Sequence, residues 1–285
     1  MSALPPAPVP EPGPGALPPN RSGRHRAAIA LHPRTVTAML FATVLGLACF
    51  LWPFVITPGH FGSTYTPPLM FGLVLVLVLA VVFAELAEGG IDSKAIAMLG
   101  VLSALDAGLR PLGAGTAGVE TVFFLLVLSG RVFGPGFGFA LGCTATFASA
   151  IITGGIGPWL PYQMFGCAWV GLFAGLLPPC RGRLEIAMLA AYGVVAGYCF
   201  GFMLNLQFWP FSVSPGSSIA YLPGASLTVL WHRYLVFDAT TSLGWDTGRA
   251  LTDLICIVLL GPALLPTLRR AARRASFQAA VNFES

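Results

Sequence analysis

Asp106 and Arg110 stand four residues apart at the end of an apolar stretch, Ser93 to Leu109, so an acid, a base and Ser103 share one helical face. A charge at that depth costs about 2.5 to 3.5 kcal/mol on insertion scales unless it faces a protein interior. Glu120 follows after a glycine-rich loop. Further along, Trp159, Tyr162 and Gln163 cluster in Gly157-Pro158-Trp159-Leu160-Pro161-Tyr162-Gln163, and Asn205, Gln207 and Trp209 close a later apolar segment. Aromatic plates beside a few fixed hydrogen-bonding groups suit a small planar or ring-bearing ligand. The same residues also fit plainer roles. Trp159, Tyr162 and Trp209 fit an interfacial aromatic belt, Asp106 with Arg110 an ion pair within one helix, and Glu120 a cap on the next helix. Gln163 and Asn205 fit a plain role less well, because amides lodged in apolar helix ends need a partner.

The elements that must position these groups are helices in a bilayer. The 285 residues are 56% hydrophobic and 9% charged, against about 25% charged in soluble domains. Mean hydropathy is +0.80. Residues 1–20 are rich in proline and predict a disordered, polyproline-like tail, which Arg21, Arg24, Arg26 and Arg34 continue to give a basic stretch over 1–34. Eight apolar segments follow: Thr35 to Ile56, Leu69 to Leu86, Ser93 to Leu109, Val119 to Val132, Phe137 to Ile152, Pro161 to Leu177, Leu184 to Phe202 and Thr247 to Leu265. The first is too long for a signal peptide and lacks a small-residue cleavage site, so it reads as an uncleaved anchor. The cluster Gly134, Pro135, Gly136, Gly138 reads as a tight turn between two spans.

Charge orders the sides. With the N-terminus in the cytoplasm, twelve of the fifteen basic residues fall inside: Arg21 to Arg34, Lys94, Arg131, Arg181, Arg183 and the group Arg269 to Arg274. Arg110, Arg233 and Arg249 stay outside against the bias, Arg110 being the most suggestive. The expected localisation is the cell membrane, multi-pass, with both termini cytoplasmic. The outer side then carries a loop of about 40 residues, 205–246, long enough to hold a short helix near Ser226 to Phe237.

Other classes find no support. There is no G-x-x-x-x-G-K-[ST], no H-E-x-x-H and no G-x-S-x-G, so neither nucleotide hydrolysis nor hydrolytic catalysis has visible machinery, and the expectation is a protein that is not an enzyme. The arginines lack the aromatic interleaving of a nucleic-acid surface. Six cysteines, scattered singly, imply neither disulfides nor a metal site, and no cofactor is expected.

Gly100, Ala104 and Gly108 recur every four residues on the side of the Ser93 helix nearly opposite Asp106, and small residues at that spacing let another helix approach closely. With Arg110 to Gly115 (Arg-Pro-Leu-Gly-Ala-Gly), Val119 to Phe124, Gly130 to Pro135 and Gly157 to Met164, this helix resembles the substrate-binding S component of energy-coupling factor (ECF) vitamin transporters. The likeness runs over Ser93 to Leu177 and more loosely to Leu265. It implies an all-α, integral membrane protein with a six-helix core at 91–268, here preceded by two extra transmembrane helices at 35–90 and followed by a basic tail at 269–285. It implies as partners a membrane-embedded coupling T subunit and two ABC-type ATPases, with the S component toppling to release a vitamin-like small molecule. The family's coupling-subunit contact falls on Ala97, Gly100 and Ala104. Its pocket of loops and outer helix ends falls on Arg110, Glu120, Trp159, Gln163, Asn205 and Trp209, to which the reading of the residues themselves adds Asp106 and Tyr162. The alternative is a proton-coupled secondary carrier in which Asp106, Glu120 or Asp253 titrates, though no inverted repeat is visible. A membrane scaffold without a ligand is a third possibility.

Overall fold

A computed structural model describes residues 33–55, 66–88, 93–113 and 117–275. The proline-rich tail at 1–32, the loop 56–65 and the chain end at 276–285 lie outside the described residues. Within them every regular element is helical: α1 (Pro33–Phe50), α2 (Trp52–Val55), α3 (Thr66–Glu88), α4 (Ser93–Leu109), α5 (Phe123–Phe133), α6 (Pro135–Thr153), α7 (Leu160–Leu176), α8 (Arg183–Ser212), α9 (Leu227–Thr241) and α10 (Leu243–Ala275). Five are long and apolar enough to cross a bilayer: α1, α4 with its following turn, α6, α8 and α10.

The short helix α5 is the hub. Its eleven residues rise only about 16 Å, too little for a hydrocarbon core of roughly 30 Å. From Phe123 to Leu128 its sequence is apolar on all sides, which requires burial on all sides. Residues Phe123 through Gly130 are all buried, packed by α6, α7, α8 and α10. Of the glycine cluster after it, only Gly134, with φ +97°, makes the turn; Pro135 opens α6, and Gly136 and Gly138 are already helical.

Two helix pairs dominate the packing, α6 with α7 and α8 with α10. In the first, backbone meets backbone. A Cβ at Gly138 would overlap the Gly171 carbonyl, one at Gly171 the Gly138 carbonyl, and one at Gly142 the Cys167 carbonyl. The α1–α3 pair leans on this core through α7 and α8, where Gly46 faces the rings of Phe165 and Trp169.

Several segments exceed their expected bounds. α8 runs ten residues past Phe202, through Pro210 to Ser212, and α10 begins at Leu243. The expected loop of 205–246 therefore shrinks to residues 213–226 plus α9, which starts after Ser226 as anticipated and continues to Thr241. At the other end α10 carries Arg269 to Arg274 as helix rather than tail.

Candidate functional site

α4 divides its two faces cleanly. Ser103 and Asp106 are buried against α6, where the Ser103 and Thr144 hydroxyls share a 2.6 Å hydrogen bond. Ala97, Gly100, Ala104 and Gly108 are exposed, and a Cβ at Gly100 or Gly108 would meet nothing within 4 Å. The helix ends in a 3-10 turn, Arg110–Leu112, because Pro111 cannot continue the α-helical bonding. That turn swings Arg110 toward α6 and α7, where it donates to Gln163 Oε1 at 3.1 Å and to Ser149 Oγ at 3.4 Å. Asp106 lies within electrostatic range of Arg110 without a hydrogen bond to it, so the two are not the ion pair that their spacing allowed. Both Asp106 oxygens are buried and lack a hydrogen-bond partner.

Glu120 belongs to a second group. Thr121 donates to the Leu109 carbonyl at 2.8 Å, and a Cβ on Gly118 or Gly248 would strike the facing backbone, so the chain before α5 is pressed between the end of α4 and the start of α10. Glu120 then meets Arg249, and α5 is capped at Val122 rather than by Glu120. Arg249 also donates to Asp246 at 2.6 Å and to the Gly197 carbonyl at 3.2 Å, and its guanidinium lies over the rings of Phe200 and Phe123 at 5.1 and 5.7 Å. One turn deeper sits Asp253, fully buried beside the Phe124 backbone amide, with neither oxygen in a hydrogen bond of normal geometry.

These two groups lie within electrostatic range of each other. Asp253 feels Glu120, Arg249 and Asp106, while Cys167 on α7 feels Arg110, Glu120 and Asp106. Arg110 thus has Asp106 within electrostatic range, while Arg249 is paired with Glu120 and Asp246 and has Asp253 within electrostatic range. In a low-dielectric interior an excess of negative charge must be met by protons or by a positive group from outside the chain.

The remaining predicted residues go elsewhere. Asn205 donates to Asp238 Oδ1 at 2.7 Å and to Ser242 Oγ at 2.6 Å, tying α8 to the end of α9. Trp209 is fully buried in a separate aromatic cluster with Leu230, Tyr234 and Phe237, its indole N–H given to the Ile219 carbonyl at 2.8 Å. Burial pushes the Asp238 carboxyl above the usual carboxylate range, against the Asn205 hydrogen bond that draws it down. Tyr162 is buried edge-on to Phe50 of α1, and Trp159 is 47% exposed, its N–H bonded to the Gly155 carbonyl. Of the eight expected pocket residues, then, Arg110 and Gln163 bond each other near Asp106, and Glu120 pairs with Arg249 instead. The other four secure the α8–α9 cap, the α1 contact and the loop before α7.

Sequence reasoning passed over Ser149, Asp246 and Arg249 as site residues. Arg249 carried a signal, being one of three basic residues that the charge bias left on the expected outer side, and it stands three residues from Asp246 on one helix face. Arg233, the third of those residues, bonds the Ser217 and Ala220 carbonyls and so braces the loop before α9. The fold and this interior define a class, an all-helical protein with membrane-spanning helices built around a buried acid–arginine network. Comparison with family models, with curated proteins and with solved structures returned no match.

Proposed function

We propose that this chain is the substrate-binding membrane subunit of an ECF-type vitamin transporter, a binding protein without catalysis of its own. One observation carries the reading: α4 turns a buried polar face to the interior and leaves a bare small-residue face outside. The polar face holds an unsatisfied carboxylate beside Arg110 and Gln163, groups able to fix the polar edge of a vitamin-like small molecule. The bare face, Ala97, Gly100 and Ala104, offers a coupling T subunit the close approach that small residues permit, and two ATPases supply the work. The six-helix core is then α4 to α8 and α10, with α1 and α3 as an addition.

A panel of vitamins tested by thermal unfolding of the purified chain checks this directly. A true ligand at 100 times its Kd adds about 2.7 kcal/mol of stability, and Gln163→Ala removes the shift. Co-purification supplies the second arm, in which Ala104→Trp loses the coupling subunit while the vitamin-induced shift stays. An Ala104→Trp complex that assembles normally sinks the interface.

A proton-coupled carrier is the second reading, favoured by the two buried carboxylates, Asp106 and Asp253, that lack hydrogen-bond partners. Uptake into proteoliposomes driven by a proton gradient, with no ATPase present, selects it.

A further inference from the structure

At the end of the molecule far from Arg110, one carboxylate gathers three helices. Glu185, 1% exposed near the start of α8, accepts from Arg131 at the end of α5 at 2.8 Å and from Arg269 of α10 at 2.6 Å, both on Oε1. Arg131 also donates to the Leu177 carbonyl at 2.8 Å and so pins the loop before α8. Beside this knot a pocket of about 530 Å³ opens between α8 and α10. Its polar side is Arg183, Glu185 and Arg269, and its apolar side includes Ile186, Val258 and Leu265.

The charges do not cancel. Arg131, Arg183 and Arg269 give three positive charges and Glu185 one negative, so the site keeps two. Glu185 is shielded by its two arginines, whereas Arg183 is exposed with no partner among the described residues. The next turn of α10 adds Arg270 and Arg274 around a neighbouring hollow. A soluble anion uses the arginines alone. Here the apolar wall runs on from Val258 into the exposed stripe Ile255 and Leu259 of a helix long and apolar enough to span the bilayer, which is where acyl chains lie.

We infer that this pocket binds an anionic phospholipid, its phosphate between Arg183 and Arg269 and its acyl chain along Val258 and Ile186. Bound there, the lipid bridges the ends of α8 and α10 beside the Glu185 knot. Basic pockets between helices at headgroup depth take acidic lipids for this reason, each arginine being worth about fivefold in affinity.

The test uses the full chain reconstituted in nanodiscs of equal parts phosphatidylcholine and phosphatidylglycerol, released gently and weighed by native mass spectrometry. Wild type retains phosphatidylglycerol selectively. Arg183→Gln lowers that selectivity about fivefold while unfolding at the wild-type temperature. Val258→Trp, which keeps every charge but fills the apolar wall, also lowers retention. Arg34→Gln, a charge removed from α1, leaves it unchanged. Equal retention of the two lipids overturns the proposal, as does an Arg34→Gln loss matching that of Arg183→Gln. Displacement of the lipid by inorganic phosphate at the same concentration assigns the site to a free anion and overturns it too.

Discussion

The two main helix pairs use the same device for opposite ends. α6 presents Gly138 and Gly142, and α8 presents Gly193, Gly197 and Gly201, in each case small residues every four positions along one face. Against α6, the partner α7 brings backbone: the Gly171 and Cys167 carbonyls fill the space a side chain would take. Against α8, the partner α10 brings backbone at Gly197 but side chains, acidic ones among them, at Gly193 and Gly201. The Asp246 carboxylate lies where a Gly201 Cβ would be, Ala250 backs onto Gly197, and Asp253 with Ile257 sits over Gly193. One seam is dry and exists to be close, while the other makes room for charge. The lesson is that a small-residue repeat in a membrane helix sets a distance, and the partner's composition decides whether that distance serves packing or a polar interior.

The largest break in this contrast is expected at Gly138→Leu. No rotamer of leucine avoids the facing backbone, and overpacking of this kind costs upwards of about 3 kcal/mol. Size-exclusion in detergent should show aggregate and little monomer, and a monodisperse Gly138→Leu protein would remove the α6–α7 seam as described.

Next comes Arg249→Gln. It strands the buried Asp246 and the half-buried Glu120, and leaving a buried charge uncompensated costs about 3 to 5 kcal/mol. Its unfolding midpoint in denaturant should fall below that of Arg110→Gln, whose hydrogen-bond partners Gln163 and Ser149 are neutral and which meets a buried carboxyl, Asp106, only through space.

Asp253→Asn goes the other way. The carboxylate has no hydrogen bond of normal geometry to lose, so removing its charge is expected to raise stability by about 1 to 2 kcal/mol, read as a higher midpoint in the same titration. A loss of stability there would mean that Asp253 is a structural partner in the α8–α10 seam rather than a group held for function.

A smaller effect separates the seams by one methyl group. Gly193→Ala places a Cβ 2.9 Å from the flexible tip of Ile257, which can move, so the cost stays near about 1 kcal/mol. Gly138→Ala meets a carbonyl, which cannot move alone, and costs more. Equal losses in thermal unfolding would erase the distinction between a backbone seam and a side-chain seam.

The smallest effect is a pH dependence outside the spans. Because burial raises the Asp238 carboxyl above its unfolded value of about 3.9, its neutral form is favoured in the fold. Stability tied to Asp238 is therefore complete below that value and is lost as pH rises through the folded value. Asp238→Asn should flatten the acid limb of the stability profile, and an unchanged limb would place the effect on another group.

The sequence by itself was enough for the helical class, the apolar membrane character and the two-faced α4, though not for the number of helices long enough to span, because each of the former depends on local composition or on a spacing of four within one helix. It also placed α9 near Ser226, where a loop of that length called for structure of its own. Tertiary structure decided the rest. Eleven apolar residues do not reveal whether they are a short span or a buried hub, and only the four helices packed around α5 make it the hub. Asp106 and Arg110 were spaced to pair, yet Pro111 turns the arginine toward Gln163 and Ser149 on other helices. Glu120 and Arg249 lie 129 residues apart, so no spacing rule joins them. Trp209 and Asn205 looked like pocket walls from their depth in α8, but the helix runs on to Ser212 and α9 folds over it, which gives their polar atoms partners in the cap. Helical period fixes which residues share a face of one helix, and only the packing of helices fixes what that face meets.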